Sequence, residues 1–371
     1  MNTDFWKMNQ DGRNVWRFFP AFLFSLFKIH PCSSVAKFAC PFLLAALISC
    51  ASAQTRTLEV RGQNLLADGQ PITLRGVAVG DPFLARAGRP LSDYAVIAHE
   101  WRANVVRLSV HPSVWKHTPH EQVIARLRAE TQAALDAGMF VILDWHSIGW
   151  PDGYYEAVRA DWDDDPRDLY DARFSLAQNF WDEISAAFAH EPRVIFELWN
   201  EPVFDQNEAD GDPKARWPQL KPWFAKLLAT VRVHGNNVAL ATGNAWAYNL
   251  RGLRADLLQG VNVGYTWHVY AGHDENDESA WAKSLDDLQT VAPVFVTEWG
   301  FQPKTKEPFR GTAKTFGEKF ARDFLEAKHL HSTAWCWHPD WTPVMLERDW
   351  KTPTAMGAFV QNYLRAHHPA R

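Results

Sequence analysis

The sequence predicts an α/β fold, a (β/α)8 TIM barrel that occupies residues 54–371. Eight short apolar segments recur along this part of the chain. Each is followed by an amphipathic stretch or by a segment long enough to hold a helix. The length also fits, because such barrels take roughly 200 to 400 residues. An open doubly wound sheet is disfavoured, because Gly76, Gly80 and Gly88 do not form the GxGxxG phosphate loop after the first strand.

The predicted strands are short runs rich in Val, Ile, Leu and Phe, which is typical of parallel strands buried on both faces. The clearest of them reads MFVILDWH. In chain order, the eight strands are predicted at residues 72–79, 104–110, 139–146, 193–200, 237–242, within 260–270, 293–298 and 332–338.

Helices are predicted where apolar residues recur with the spacing of one helical face. The first of them ends at Gly138, and glycine commonly terminates helices. All but the first and fifth strands are followed by a predicted helix. These helices are predicted at residues 121–138, 172–190, 218–235, 278–290, 315–329 and 354–366.

An uncharged apolar run, FACPFLLAALISC, occupies residues 38–50. It follows Lys28 and Lys37 and precedes the small-residue pattern that ends at Ala53, as in a secretory signal peptide. The run is too short to cross a bilayer, which takes about 20 helical residues. We therefore predict a leader over residues 1–53, cleavage near Ala53, and secretion to the periplasm or the medium, with no transmembrane segment in the mature chain.

A second processing pattern overlaps the first. The letters LISC, which end at Cys50, resemble a bacterial lipobox, whose cysteine becomes the lipid-bearing first residue. Lipid anchoring at Cys50 is therefore the alternative to free secretion.

The composition narrows the class of protein. Hydrophobic residues make up 47% and charged residues 22% of the chain, which excludes a disordered or fibrous protein. A formal net charge of -5 argues against a nucleic-acid partner, which needs a basic surface. The 4 Cys are too few for a disulfide-dense scaffold. The 19 Trp are unusually many, and indole rings either fill cores or stack on the flat faces of sugars.

Polar and aromatic side chains stand where the predicted strands end, and in a barrel these ends meet at the opening that holds the active site. Glu201 directly follows the fourth predicted strand, and Glu298 ends the seventh. Two carboxyl groups at one opening are what glycoside hydrolysis requires, because one must donate a proton while the other attacks or activates water. The other strand-end residues are Arg107, Asp144, His146, Asn200, His268, Tyr270, Trp335 and Trp337.

Two motifs carry a specific resemblance to a known family. WNEP at the fourth strand and TEWG at the seventh resemble glycoside hydrolase family 5, the cellulase family of the barrel glycosidase clan. The resemblance covers nearly all of residues 54–371. It implies that Glu201 is the acid/base and Glu298 the nucleophile of a retaining double displacement, in which the carboxyl groups lie about 5–5.5 Å apart.

The resemblance also assigns supporting positions in the site. Arg107 resembles the Arg that holds the nucleophile, Asn200 the Asn that bonds the sugar 2-hydroxyl, and Trp335 the Trp under the reacting sugar. The remaining matches are His146 in a third-strand D-W-H and His268 and Tyr270 in a sixth-strand H-x-Y.

Further Trp residues near the predicted strand ends are candidates for substrate-binding subsites, where they would stack on sugars. Each of them is equally well explained by packing in the core. They are Trp150, Trp246, Trp267, Trp337 and Trp341.

Plainer interpretations stay open for several residues. Glu197 and Asp144 are predicted to be satisfied carboxylates inside the barrel, and Arg107 is alternatively their structural partner. His146 and His268 are alternatively core histidines. Metal catalysis is disfavoured because none of the predicted strands carries HxH, so we predict no metal and no cofactor.

The sequence therefore predicts a secreted, monomeric, retaining β-glycoside hydrolase, and specifically an endo-β-1,4-glucanase. Its partner would be a β-linked polysaccharide or oligosaccharide. Alternatives within the family are a β-mannanase, a xyloglucanase or an oligosaccharide hydrolase. A carbohydrate-binding protein on an inactive scaffold belongs to a different class, and it is disfavoured because it has no need to keep both Glu201 and Glu298.

Overall fold

The computed structural model describes residues 57–84, 90–153, 166–205, 214–272 and 276–368. The predicted leader, with its cleavage site near Ala53 and the alternative lipid site Cys50, lies outside the described residues. Within the described ranges, no helix combines the length and the apolar character needed to span a membrane.

A small three-stranded sheet precedes a closed barrel of eight strands, which confirms the predicted (β/α)8 architecture. Each barrel strand pairs in parallel with the next along the chain, and the last pairs with the first. The small sheet consists of β1 Leu58–Arg61, β2 Asn64–Ala67 and β3 Gln70–Pro71. The barrel strands are β4 Arg75–Gly80, β5 Val105–Val110, β6 Phe140–Trp145, β7 Val194–Glu197, β8 Ala239–Thr242, β9 Val263–Tyr270, β10 Val294–Gly300 and β11 His331–Ala334.

Helices surround the barrel, and the longer ones bury one apolar face while the other faces solvent. In chain order they are α1 Asp93–Ala95, which continues as a π-helical turn at Val96–Glu100, then α2 Pro112–His117, α3 His120–Asp136, α4 Pro166–Leu169, α5 Phe174–Phe188, α6 Trp217–Arg232, α7 Glu278–Leu285 with a 3-10 turn at Leu288–Thr290, a π-helical segment at Ala313–Leu325, and α8 Ala355–His367.

Several strands are shorter than the sequence predicts. The run predicted at 193–200 ends as a strand at Glu197, and the run predicted at 332–338 ends at Ala334. The small sheet is absent from the prediction, because strands of 4 and 2 residues are too short to show an alternating pattern.

An apolar cluster closes the end of the barrel where the strands begin. Leu58 and Leu65 of the small sheet pack there against residues from the starts of the barrel strands. The backbone also ties the sheet to this end, because Val60 N donates to Asn262 Oδ1 at 2.9 Å, just before β9. The barrel contribution comes from Leu74, Val105, Phe140, Ile142, Ile195, Val238, Leu240 and Phe295.

Alternation along the strands decides which side chains reach the barrel interior. On β9, His268 hydrogen bonds with interior carboxylates, whereas Trp267 packs outward against Phe320 and Phe324 of the π-helical segment. On β10 the register shifts between Phe295 and Glu298. Irregularities of this kind re-aim side chains, and this one lies directly before Glu298.

Candidate active site

The two predicted catalytic carboxylates meet at the end of the barrel where the strands finish. Glu201 lies four residues beyond the end of β7, in a bridge with Ile148 of the neighbouring loop, whereas Glu298 lies within β10. Both are buried, with 8% and 4% of their surface exposed. One oxygen of each lies within 4.8 Å of the other and of a His268 nitrogen, so a small reacting group would face all three residues at once.

Glu298 is held by a cation and a phenol. Arg107 Nη1 donates to Glu298 Oε1 at 2.7 Å, and the Tyr270 hydroxyl donates to Oε2 at 2.5 Å. Burial, with the charges of Glu298 and Glu201, raises the pKa of Tyr270 well above its ordinary range, so the phenol stays a donor. Each oxygen of Glu298 therefore accepts a hydrogen bond from a fixed donor, which holds the carboxyl group in one orientation.

Glu201 is held by a histidine instead. His268 Nδ1 lies 2.9 Å from Glu201 Oε1. Burial raises the pKa of Glu201 and the nearby charge of Glu298 raises it further, while the hydrogen bond with His268 works in the opposite direction. The net direction is upward, so Glu201 keeps a proton more readily than an exposed glutamate does.

His268 lies among carboxylates on several sides. Burial alone would lower its pKa, but the charges of Glu298, Glu197 and Glu201 outweigh burial and raise that pKa to about 10. A cationic ring would stabilise the Glu201 carboxylate whenever that group gives up its proton.

Arg107 connects the site to the barrel interior. Its Nε donates to Glu197 Oε2 at 2.6 Å, and its Nη2 lies 2.9 Å from Asp144 Oδ2. It therefore contacts the interior carboxylates and Glu298 at once, as its two predicted roles require. Arg107 Nη2 also donates to Asn200 Oδ1 at 2.7 Å, which fixes the orientation of that amide and leaves its NH2 group as the donor.

The interior carboxylates differ in how well they are satisfied. Burial opposes the charge of Glu197, but Arg107 and His268 outweigh it and lower its pKa. Burial dominates at Asp144 and raises its pKa well above the usual range, against the attraction of Arg107. Among the described residues, Asp144 Oδ1 has no hydrogen-bond partner. Glu197 therefore has hydrogen-bond partners for both oxygens, as predicted. At Asp144 only Oδ2 has such partners.

His146 lies at the edge of this network. Its Nδ1 is 2.7 Å from Asp144 Oδ2, and its ring stacks on Trp335 at 5.3 Å between centroids with an interplanar angle of 4°. Burial, and then electrostatic interactions with His111, Arg107 and His268, lower the pKa of His146 well below its ordinary value. The ring is therefore a neutral hydrogen-bonding group near the site.

Trp335 carries the aromatic stack outward. Trp341 lies parallel to it, at 6.0 Å between centroids and 8° between planes. Gly80, at φ +71, allows this packing, because a Cβ there would lie 1.7 Å from the Trp341 ring. Arg107 lies 6.0 Å from the centroid of the Trp335 ring, so the stack begins next to the cation that holds Glu298, and an aromatic group there suits the apolar face of a sugar ring.

The predicted substrate-binding role is wrong for two of the Trp residues. Trp267 is fully buried on the outer side of the barrel, and its Nε1 donates to Tyr248 O at 2.8 Å. Trp337 is 2% exposed and packs edge-on against Trp101, because β11 ends before it and the alternation does not extend that far. Neither indole can offer a face to a substrate.

The other two loop Trp residues lie above the strand ends. Trp150 is buried with its ring edge-on to Phe204, 5.3 Å between centroids. Trp246 is half-buried and follows β8 in a left-handed turn, at φ 53. Their roles as subsites stay predictions.

Three polar residues of this region were not predicted from the sequence. Asp81 and His111 directly follow β4 and β5, and His111 Nδ1 lies 3.0 Å from Asp81 Oδ2, with its ring 4.6 Å from that of His146. Their position at strand ends was a usable signal. Thr297 gave no signal of its own, although its hydroxyl donates to Glu197 Oε1 at 2.8 Å.

One group within the described ranges is close enough together to hold a metal ion, namely Glu201, His268 and Glu298. Their ligand atoms are engaged in the hydrogen bonds given above, with one another and with Arg107 and Tyr270. The same atoms are equally well placed to exchange protons, which is the chemistry of a carboxylate pair.

The chain is similar to cellulases in sequence. A family model for cellulase, glycosyl hydrolase family 5, matches residues 65–340, which include both carboxylates. Cellulase CelDZ1 of Thermoanaerobacterium sp is 25% identical over 253 residues, 66% of this chain and 61% of that protein. Endoglucanase A of Evansella cellulosilytica is 26% identical over 241 residues, 64% of this chain and 43% of that protein. The chain thus spans about half the length of these relatives.

Solved structures share the barrel. The beta-glucanase SdGluc5_26A of Saccharophagus degradans, in complex with cellotetraose, has a TM-score of 0.75 and 25% identity, over 85% of this chain and 94% of that one. The catalytic domain of endoglucanase Cel5A from Thermobifida fusca has a TM-score of 0.67 and 19% identity, over 83% of this chain and 97% of that one. The second likeness concerns the fold alone.

Proposed function

Because the chain belongs to glycosyl hydrolase family 5, the cellulase family, we propose that it hydrolyses β-linked glucans with Glu201 and Glu298 as its catalytic pair. The observation that carries the proposal is the contrast between the two carboxyl groups. Arg107 and Tyr270 each donate a hydrogen bond to Glu298, whereas Glu201 contacts His268 and burial raises the pKa of Glu201. Pairs of carboxyl groups with divergent environments take the acid and base roles in glycosidases.

The spacing supports a retaining mechanism. An oxygen of Glu201 and an oxygen of Glu298 lie within 4.8 Å, which suits the narrow class of about 5–5.5 Å rather than the wide class of roughly 6.5–9.5 Å. The narrow spacing leaves no room for a water between the carboxylate and the sugar, so the carboxylate itself must attack.

In the first step, Glu298 attacks the anomeric carbon while Glu201 donates its proton to the glycosidic oxygen. The bond between the anomeric carbon and that oxygen breaks, and a glycosyl ester forms on Glu298. Arg107 and Tyr270 fix the attacking carboxylate in place, and Asn200 offers its NH2 group to the sugar 2-hydroxyl.

In the second step, Glu201 is a carboxylate and accepts a proton from water. That water attacks the anomeric carbon, displaces Glu298 and releases the sugar with its original configuration. A cationic His268 beside Glu201 stabilises the carboxylate between the two steps.

A β-1,4-glucan is the favoured substrate, and endo cleavage the favoured mode. The aromatic pair of Trp335 and Trp341 would supply apolar contacts for the sugar faces of an extended glucan chain. Relatives named cellulase and endoglucanase, and a related beta-glucanase in complex with cellotetraose, support the same choice.

We further propose that the chain works as a monomer and is exported by its leader. Cleavage after Ala53 predicts a mature N-terminus at Gln54, whereas lipid anchoring predicts one at Cys50. Intact-mass measurement of protein from the producing cells separates the two, because only the second product carries a lipid.

The activity test is release of reducing sugar from carboxymethylcellulose, barley β-glucan, xyloglucan, mannan and xylan. We expect activity on a glucan in the wild type and loss of at least about 10⁴-fold in Glu298→Ala. Glu318→Ala, at an exposed position of the π-helical segment, is the matched control and keeps full activity. Equal rates for Glu298→Ala and wild type would refute the catalytic role of Glu298. Activity on mannan alone would make mannan, and not a glucan, the substrate.

A further inference from the structure

Four buried side chains form a continuous hydrogen-bonded chain across the barrel interior. The Thr297 hydroxyl donates to Glu197 Oε1 at 2.8 Å and lies 3.0 Å from His268 Nε2. On the other edge of the same ring, His268 Nδ1 lies 2.9 Å from Glu201 Oε1. The mechanism above uses only the last of these contacts.

The direction of each bond follows from proton counting. Glu197 accepts two bonds from Arg107, at 2.6 and 3.1 Å, and is a carboxylate with no proton to give. Thr297 has one hydroxyl proton, and it goes to Glu197. The Thr297 oxygen can therefore only accept from His268, which places a proton on Nε2.

This fixed proton decides what Nδ1 can do. With Nε2 always protonated, Nδ1 carries a proton only when the ring is cationic. If the ring is neutral, the Nδ1 lone pair faces Glu201 Oε1 at 2.9 Å and needs a proton on that carboxyl group. Loss of the last shared proton would set a lone pair against a carboxylate, which is unfavourable.

We propose that Thr297 is a positioning residue for the acid/base, because by fixing the His268 tautomer it makes the His268–Glu201 pair retain one proton. This inference rests on the proposed function of Glu201. Thr297 is fully buried and need not contact substrate, since it acts through His268. Thr297 also lies next to the nucleophile in sequence, at the register shift of β10, so one irregularity serves both carboxylates.

Other charged groups face His268 and must be counted in any pH dependence. The Glu298 carboxylate from β10 lies 3.8 Å from Nδ1, and Glu197 from β7 lies 3.7 Å from Nε2. These carboxylates favour a cationic ring whatever stands at position 297. The more distant groups that interact with His268 electrostatically are Asp144 and His146 of β6 and the loop after it.

The test compares Thr297→Val, which keeps the shape but removes the hydroxyl, with Thr297→Ser, which keeps it. In the valine variant, the neutral ring can carry its proton on Nδ1 and donate it to the Glu201 carboxylate. The pair then gives up its shared proton more easily. We expect the alkaline limb of the kcat/KM profile to move about one unit to lower pH, with the acid limb unchanged.

Thr297→Ser should restore the wild-type alkaline limb even if its absolute rate is lower. A purely structural role for Thr297 would lower the rate by the same factor at every pH. A valine profile that is reduced but not displaced would therefore overturn the proposal.

A second readout does not need activity or the valine variant. Nitrogen NMR of wild-type protein with ¹⁵N-labelled histidine reports each ring nitrogen, and His268→Asn identifies the signals of His268. We expect Nε2 to keep its proton even above about pH 10, where the ring becomes neutral and Nδ1 loses its proton. A wild-type Nε2 without its proton would overturn the inference, even in a chain that cleaves no glucan, and inactivity with a protonated Nε2 would refute only the proposed function.

Discussion

The two ends of the barrel interior differ in the chemistry of their side chains, which are apolar at one end and charged at the other. Where the strands begin, the interior is an apolar cluster in which Phe295, Ile142 and Val105 are at most 1% exposed. Where the strands finish, the same interior holds Arg107, with the carboxylates around it. Apolar burial stabilises a fold, whereas buried charges cost free energy that good pairing only offsets.

The difference separates stability from chemistry along the barrel axis. The small sheet adds Leu58 and Leu65 to the apolar end. At the other end, Asp144 Oδ1 lacks a hydrogen-bond partner among the described residues, which marks a region arranged for function at some cost in stability. Substitutions at the two ends should therefore fail in different ways.

The largest effect is expected at the charged end. Glu201→Gln keeps the size of the side chain but cannot donate or accept the catalytic proton, so kcat/KM on a β-glucan should fall about 10²–10⁴-fold. The unfolding temperature should not fall, because burial already disfavours the ionised form of Glu201. Reducing-sugar assays and thermal unfolding on the same preparation check both expectations.

Added azide gives this variant its control. Azide needs no general base, so it should release the glycosyl ester of Glu201→Gln and yield a β-glycosyl azide from an activated aryl glycoside. A variant that keeps its rate on glucan, or that gives no azide product, would assign the acid/base role to another residue.

A smaller effect of the opposite kind is expected at the apolar end. Phe295→Ala removes a ring that is 1% exposed and packs against the tilted ring of His331, 4.4 Å away between centroids. The free energy of unfolding should fall by about 3–5 kcal/mol, because a cavity remains where the ring was. Denaturant unfolding measures the loss, and kcat of the folded fraction should stay within about twofold of wild type.

Val261→Ala is the matched control for this end, since Val261 is 60% exposed. It should change the unfolding free energy by less than about 0.5 kcal/mol. If Phe295→Ala lowered kcat while its stability stayed normal, the separation between the two ends would be wrong.

The smallest effect concerns the stability of the charged end as pH rises. His268 has its pKa raised to about 10, because the carboxylates of Glu298, Glu197 and Glu201 outweigh burial. A group with a raised pKa in the folded state contributes in full below its ordinary value of about 6.5, and the contribution fades as pH climbs towards the folded value. The unfolding temperature of the wild type should therefore fall between pH 7 and about 10.

His268→Asn should flatten that decline, while His99→Asn, at an exposed helical position, should leave it as in wild type. Thermal unfolding at several pH values tests the expectation. An equal alkaline slope in the wild type and in His268→Asn would mean that the ring carries no charge in the folded protein.

Much of the fold could be predicted because parallel barrel strands are buried on both faces and leave continuous apolar runs. The run predicted at 139–146 is β6 at Phe140–Trp145. The strand ends could not be placed as well, since apolar residues continue beyond Glu197 into the loop that carries Glu201. The small sheet of β1 to β3 is paired by a few backbone hydrogen bonds. Strands this short leave too little alternation of apolar and polar residues to detect in a sequence.

The site could be predicted where chemistry demands particular residues. Glu201 and Glu298 stand in motifs at strand ends, and the structure brings them together. The wrong substrate-binding role of Trp267 was avoidable. Trp267 and His268 are neighbours on one strand, so their side chains must face opposite sides of it. Thr297 was not predictable, since its contact with His268 depends on the register shift of β10.

The central claim is that Glu298 attacks the substrate and forms a glycosyl ester. A 2-deoxy-2-fluoro-β-cellobiosyl fluoride slows release of that ester more than its formation, so the intermediate should accumulate. We expect the protein mass to rise by one fluoroglycosyl unit and the label to be found on the peptide that contains Glu298. A label on Glu201 or on another residue, or turnover of this reagent without any covalent species, would contradict the account.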